Sequence, residues 1–544
     1  MGYRLPLLIG ALTLGYSALL FQLYDVQVAH REEYIARAES QYALSGAFTR
    51  GAIYFTDKNG TQLSVAVNKD FPTVYANSRE IEHPRLAAEA FAPIVGKPVD
   101  TLVKIFSNAS SAYYPLLKKA DKATVKKVEE LDVKGVAVEQ IPGRFYPFST
   151  LAAQVIGFVS PNDKDDNDRG RYGIEKYYDD ELAGTSSSIK GDTIVPAHPG
   201  DDITLTLDPT IQTQAELVLK NLIKTWDSDG GSIAVAEPKT GRILAMASYP
   251  SFDPNDYKHS DIKTFMNPVI EQIYEPGSMF KAITMAAGID AGKITPNTKF
   301  NDTGSLKVSG HTIRNWDLKA HGFVTMTNVL EQSINTGAAF AEEKTGDMVF
   351  TNYLKLFGFG EKTGIDLPGE LKGNLRNLYP KAPVINFRTA SFGQGVSVTP
   401  IEVLSAFGAI ANGGVLMRPY VNAALEPQVI RRVIRPDSAK TVMDMMVSAV
   451  DKADIAHIEG YTLAGKTGTA QIPDFVRGGY SDRVIDSYIG FGPTRDPQFI
   501  ILVKLDEPPG APHAAETVVP AFRELAQFIL NYYNIPPDNI SRTK

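Results

Sequence analysis

The chain has no cysteine, which excludes disulfide staples, thiolate nucleophiles and cysteine-ligated metals. Histidine is scarce, with eight in 544 residues, and none falls into an H-E-x-x-H or comparable ligand spacing. A metal centre therefore has no ligand set. There is no G-x-S-x-G elbow of the kind that presents a hydrolase serine. Basic excess is also missing: 55 lysines and arginines stand against 62 acidic residues, a net charge of −7, so nucleic acid has no compositional support as a partner. Avoidance of thiols fits a chain that works outside the cytoplasm.

What is present is length and apolar content. With 544 residues and 43% hydrophobic, the chain supports at least two globular units with sizeable cores. Its long uncharged run, Leu5 to Leu23, would span about 28 Å as a helix, close to a bilayer core. Arg4 precedes it, and Asp25, His30, Arg31, Glu32 and Glu33 follow. That asymmetry keeps the N-terminus in the cytoplasm and places everything after residue 30 outside. No small-x-small site closely follows Leu23, so the reading is an uncleaved anchor and not a signal peptide.

The stretch Glu275-Pro276-Gly277-Ser278-Met279-Phe280-Lys281 reads as a helix start. Pro276 and Gly277 break what precedes them, and Ala282 to Ala287 is good helix ending near Gly292. Ser278 then lies in the first turn with Lys281 one turn along the same face. A serine hydroxyl is a poor nucleophile until a base takes its proton, and a lysine serves only when its amine is neutral. An ordinary lysine would have to lose roughly 3 pKa units, about 4 kcal/mol of differential stabilisation. Burial, a helix N-terminus or a second cation would each act in that direction.

Serine and lysine three apart also occur at Ser187/Lys190, Ser260/Lys263 and Ser541/Lys544, where a capping serine and a solvated lysine suffice. Two further elements single out Ser278: Ser333-Ile334-Asn335 and Lys466-Thr467-Gly468-Thr469 follow in order. Lys-Thr-Gly recurs at Lys239, Lys344 and Lys362, but only Lys466 is followed by another hydroxyl, within an extended run from Leu463 to Ile472. Strand alternation sets Lys466 and Gly468 on one face and Thr467 and Thr469 on the other unless a bulge or twist intervenes. Gly460 to Thr467 also satisfies G-x-x-x-x-G-K-[ST]. A phosphate loop needs a buried strand before it and a helix after it, and the polar stretch from Asp451 to Glu459 and the run from Gly468 to Pro473 supply neither.

With these three elements in order, the chain resembles the penicillin-binding serine acyltransferases, which carry a serine-x-x-lysine, a serine-x-asparagine type triplet and a lysine-threonine-glycine triplet. The resemblance implies Ser278 as the acylated nucleophile and Lys281 as its base. Ser333 and Asn335 would relay a proton and hold the substrate amide, and Lys466 would tune the electrostatics. The Thr467 and Thr469 hydroxyls would bind a terminal carboxylate beside Gly468. The backbone amides of Ser278 and Thr469 would form the oxyanion hole.

Arg50 to Gly60 alternates and turns at Asn59-Gly60, a hairpin signal, and resembles the opening of the non-catalytic pedestal of class B penicillin-binding proteins. Arg144-Phe-Tyr146-Pro147 with Gly157-Phe158-Val159, and Gly173-Ile174-Glu175 with Leu182 and Gly184, extend the likeness. Ser149 stands in place of the usual glycine, Gln154 where many members have histidine, and Asp57 two positions late. Pro84 to Asp132 reads as helical. From Gly200 the pattern changes: Asp202 to Leu207 reads as a strand and Ile211 to Leu222 as an amphipathic helix. Strands follow at Ser232 to Ala236, Arg242 to Met246, Leu463 to Ile472, Ser487 to Phe491 and Phe499 to Leu505, with a closing helix from Val518 to Tyr533. A long helical insertion between the second and third of these five strands carries Ser278 and Ser333.

The expected architecture is α+β and multidomain. It comprises residues 1–30 as cytoplasmic tail and transmembrane helix, 31–200 as an elongated α+β pedestal of the dimerisation type, and 201–544 as a transpeptidase domain with a five-stranded antiparallel sheet flanked by helices. The implied function is a peptidoglycan D,D-transpeptidase that needs no cofactor and no metal, joins stem peptides through a serine acyl-enzyme, and is acylated by β-lactams. A β-lactamase or D,D-carboxypeptidase of the same fold shares the first half of that chemistry, and a non-enzymatic β-lactam sensor shares acylation alone. The implied location is the cytoplasmic membrane, single-pass with the catalytic domain outside. By resemblance, the implied partner is a multi-span lipid II polymerase contacted through anchor and pedestal.

Overall fold

The computed structural model describes residues 4–24, 50–108, 113–162, 168–185, 188–190, 193–195, 198–474, 476–510 and 513–539. The expected anchor falls within a helix, α1 (Arg4–Tyr24). Its side chains are described only at Gly10 and from Leu12 on, all exposed, and among the described residues no helix is long and apolar enough to cross a membrane.

The chain divides into two compact units: Met1–Ala52, Ala66–Phe145 and Asp180–Asp202 make one, and Ile53–Val65, Tyr146–Asp179 and Ile203–Lys544 the other. Strand β1 (Ile53–Thr56) turns at Asp57 to Gly60 into β2 (Gln62–Ala76). The Gly60 amide donates to Asp57 O at 3.0 Å and Gly60 takes φ +82°, the left-handed conformation that suits glycine in a hairpin turn.

In the smaller unit, helices α2 (Pro84–Val95) and α3 (Val99–Phe106) are followed by strand β3 (Tyr114–Leu117), helix α4 (Lys122–Leu131) and strand β4 (Val136–Phe145). The strand β3 corrects the expectation of continuous helix from Pro84 to Asp132. Tyr-Pro-Leu-Leu pairs with one side of β2 only, Val74 opposite Leu117, and an edge position tolerates Pro115 because its missing N–H faces away from the ladder. On the other side β2 and β4 pair from Val67/Phe145 to Ala76/Val136. The apolar stripes of α2 and α3, Ala88, Phe91, Leu102 and Phe106, close on Val74, Ala76 and Leu116. Asp121 caps α4 by accepting the Thr124 amide at 2.6 Å.

The larger unit begins with a correction. The strand expected over Asp202 to Leu207 shrinks to β5 (Ile203–Thr204), paired parallel with Ile53 and Tyr54. Asp208 then caps α5 (Pro209–Trp226), with proline at the position where a missing N–H costs nothing. Five antiparallel strands follow: β6 (Gly230–Ala236), β7 (Ile243–Tyr249), β8 (Ala464–Pro473), β9 (Tyr480–Gly492) and β10 (Phe499–Asp506). Their order is β7-β6-β10-β9-β8, so the strand carrying Lys466 is an edge. Helix α5 and the closing helix, Ala514–Tyr532, pack on this sheet through Ile211, Leu219, Ile223, Val518, Phe522, Leu525 and Ile529. The inserted segment contains Phe280–Asp290, in which every residue from Phe280 to Gly288 is buried. A helix apolar all round belongs at the centre of a packed insertion. Gln154 is also buried, and its amide donates to Pro250 O at 2.9 Å and Thr264 O at 3.1 Å.

Candidate active site

Ser278 lies in a single 3₁₀ turn, Gly277–Met279, that leads into the buried helix. Gly277 takes φ +56°, and a Cβ there would stand 3.0 Å from Thr469 O. The position thus requires glycine both for its backbone and for the close approach of β8. Lys281 is the second residue of the helix, and its Nζ lies 3.0 Å from Ser278 Oγ. The same amine donates to Ser333 O at 2.5 Å and lies 3.0 Å from Ser333 Oγ. Lys281 is wholly buried while Ser278 is half-exposed.

Burial, and secondarily the nearby charge of Lys466, hold the Lys281 amine well below the ordinary lysine range. The condition for a basic, neutral lysine is therefore met by desolvation and by a like charge. Burial also brings Lys466 down, to about 7. Lys281 carries both perturbations, so it gives up its proton first and Lys466 keeps the charge.

Ser333 occupies the turn between Met326–Glu331 and Asn335–Thr345 with φ +55°, a strained conformation for a residue with a side chain. That backbone turns both its carbonyl and its hydroxyl toward Lys281. Lys466 Nζ lies 3.1 Å from Ser333 Oγ and 3.3 Å from Thr467 Oγ1. No bulge achieves this. The register runs unbroken from Lys466/Ile489 to Thr469/Asp486, with Lys466 and Gly468 buried and Thr467 and Thr469 half-exposed. The long lysine side chain reaches around the edge strand while strand alternation is kept.

Gly468 has its own packing reason. A Cβ there would stand 2.7 Å from both Pro276 O and Ser487 Oγ. Asn335 Nδ2 donates to Arg314 O at 2.9 Å, which ties it to the hairpin strand His311–Arg314. Thr469 Oγ1 donates to Asp486 Oδ1 at 2.8 Å and accepts the Ala514 amide at 3.1 Å. The rival phosphate loop is excluded: the residues after Gly465-Lys466-Thr467 continue as strand β8, and no helix begins there. Of the other Lys-Thr-Gly copies, Lys239 pairs with Asp496 and Lys344 lies over the Phe340 ring.

Sequence reasoning missed several neighbours. Glu275, in the same motif as Ser278, accepts the Gly395 amide at 2.9 Å and the Tyr480 hydroxyl at 3.0 Å. Burial pushes its carboxyl up to about 7. Trp316 donates its indole N–H to Gln332 O at 3.1 Å and meets the His513 ring edge-on at 5.1 Å. These contacts bring the loop after Arg314 next to Ser333. No local motif marks them, because the partners come from distant strands and loops.

Residues 231–527 match the penicillin binding protein transpeptidase domain and residues 47–195 the penicillin-binding protein dimerisation domain. Stage V sporulation protein D of Bacillus subtilis is 33% identical over 541 residues, covering 92% of this chain and 82% of its own. Peptidoglycan D,D-transpeptidase FtsI of Escherichia coli is 26% identical over 570 residues, covering 99% and 94%. Among solved structures, a peptidoglycan synthetase from Bifidobacterium adolescentis superposes with TM-score 0.70 at 25% identity, covering 91% of this chain and 97% of that one. The chain belongs to the penicillin-binding protein transpeptidase family, as a class B penicillin-binding protein, a peptidoglycan D,D-transpeptidase.

Proposed function

We propose that the chain cross-links peptidoglycan stem peptides through an acyl-enzyme on Ser278. The observation that carries this reading is the position of the Lys281 amine, buried and 3.0 Å from both the Ser278 and the Ser333 hydroxyl. The neutral amine takes the Ser278 proton as Oγ attacks the carbonyl of the penultimate D-alanine. The oxyanion that forms is received by the Ser278 and Thr469 amides, the donors the family resemblance assigns. Ser333, between the two amines, passes the proton to the departing D-alanine nitrogen. An ester remains on Ser278. An amine from a neighbouring stem attacks it, the ester C–O bond breaks, and Ser278 recovers its proton. Asn335 holds the stem-peptide amide, while Lys466, Thr467 and Thr469 receive the terminal carboxylate.

In the same reading, Leu5 to Leu23 anchors the chain in the cytoplasmic membrane and the catalytic unit works outside, in wall growth or division. Residues 31–200 act as a pedestal of the dimerisation type and 201–544 as the catalytic domain. Anchor and pedestal engage a multi-span lipid II polymerase, which copurification from detergent tests.

The decisive experiment is labelling with a reporter penicillin. A long-lived adduct on the peptide containing Ser278, abolished by Ser278→Ala, is the expected result. Rapid release of hydrolysed drug would instead assign a β-lactamase, and absence of labelling would end the serine acyl-enzyme reading.

A further inference from the structure

The Thr469 hydroxyl has one hydrogen and two lone pairs, and two of these three are taken. The Ala514 amide occupies one lone pair at 3.1 Å, and the hydrogen goes to Asp486 Oδ1 at 2.8 Å. In that arrangement only a lone pair remains for an arriving carboxylate, and two acceptors repel. Asp486 is wholly buried and is the register partner of Thr469 across the β8/β9 ladder. Its other oxygen accepts from the Thr517 hydroxyl at 2.8 Å. If the carboxyl carries its proton on Oδ1, the bond to Thr469 reverses while Thr517 goes on donating to Oδ2.

We propose that Asp486 is a positioning residue that sets the direction of the Thr469 hydroxyl and takes up one proton when the substrate carboxylate arrives. The protonated carboxyl donates to Thr469 Oγ1, and Thr469 then donates its own hydrogen to the substrate. One proton is consumed from solvent, and no bond other than hydrogen bonds changes.

The surroundings favour this reversal. The helix Ala514–Tyr532 contributes Thr517, and His513 at its start acts electrostatically on Asp486, lowering its pKa. On the far side β10 contributes Leu505. Lys504, the partner of Ser487, points to the opposite face and donates to Gln272 at 3.0 Å. Lys466, on the same strand as Thr469, directs its amine to Ser333 and Thr467. Burial raises the Asp486 carboxyl above the ordinary range, against the hydroxyls and His513, which lower it. A second negative charge at Thr469 acts in the same direction as burial.

This inference rests on the acyl-enzyme reading, and the test separates the two. The second-order rate of acylation by a carboxylate-bearing penicillin is measured from pH 5.5 to 8.5 for the wild type and for Asp486→Asn, whose amide mimics the protonated acid. The Asp486→Asn rate divided by the wild-type rate cancels the titration of the lysines. It is expected to rise with pH, roughly tenfold for each unit above the Asp486 pKa, and to become flat when Thr469→Val is present in both proteins. A quotient independent of pH in the Thr469 background, or one that rises equally without that hydroxyl, overturns the proposal. If Asp486→Asn fails to fold, Thr517→Val serves. It removes a donor that stabilises the carboxylate and so raises the Asp486 pKa; the Thr517→Val rate divided by the wild-type rate must then rise with pH before levelling off, and a flat quotient overturns the proposal. A wild type that forms no adduct at all refutes the acyl-enzyme reading instead.

Discussion

Lys281 and Lys466 converge on one hydroxyl: their amines lie 3.0 and 3.1 Å from Ser333 Oγ. Two buried ammonium groups sharing a hydrogen-bond partner cannot both keep a proton cheaply. The arrangement therefore fits one base and one cation, and the Lys466 charge, added to burial, makes Lys281 the one that loses its proton first.

Removing the base should leave the fold and stop the chemistry. Lys281→Met is expected to lower the acylation rate by about 10²–10⁴, the span of a general base. Thermal denaturation should show no loss, because an apolar side chain of similar length replaces a desolvated amine. A variant that acylates at the wild-type rate would remove Lys281 from the mechanism.

The two amines predict a bell-shaped dependence of acylation on pH. The acid limb rises as Lys281 loses its proton, below the ordinary lysine range, and the alkaline limb falls as Lys466 passes about 7. Both limbs belong to the coupled pair. Lys466→Met should shift the alkaline limb by more than one unit in stopped-flow acylation.

The same depression has a stability consequence. Between about 7, where folded Lys466 loses its proton, and about 10.5, where the unfolded lysine does, the unfolded state binds the extra proton. Stability from this group therefore rises with pH across that window and is lost below it, by up to about 1.4 kcal/mol per pH unit. Urea unfolding of Lys466→Met at pH 7 and pH 9 should show a smaller increase than the wild type.

Ser333 carries a strained backbone for the sake of its hydroxyl. Ser333→Gly should be more stable than Ser333→Ala by about 1 kcal/mol, since only glycine accepts φ +55° without a Cβ penalty. Both should lose the proton relay. Equal stability of the two variants would show that the turn relaxes once the hydroxyl is gone.

Close approach at the edge strand gives a fifth expectation. Gly468→Ala places a methyl 2.7 Å from Pro276 O and Ser487 Oγ, so β8 must move away from the turn bearing Ser278. Overpacking of this kind costs about 1–3 kcal/mol, and acylation should fall further than Tm alone accounts for.

Much of this was legible in the chain. The three motifs, the five strands, the helices over α5 and the closing segment follow from local periodicity, which neighbours along the chain determine. Ser278 and Lys281 share a face because three residues make nearly one helical turn. The strand β3 and the shortened β5 were not legible, because short segments with mixed propensity take the conformation their pairing partners offer.

The amino-acid sequence by itself determined which groups could react, namely a serine, two lysines, a second serine and an amide, with no thiol or metal ligand set to compete. Only the tertiary structure decided their protonation states and the direction of their hydrogens. A pKa depends on burial and on charges brought close by folding, and the partners that matter, Lys466 for Lys281 and Asp486 for Thr469, lie on other segments of the chain.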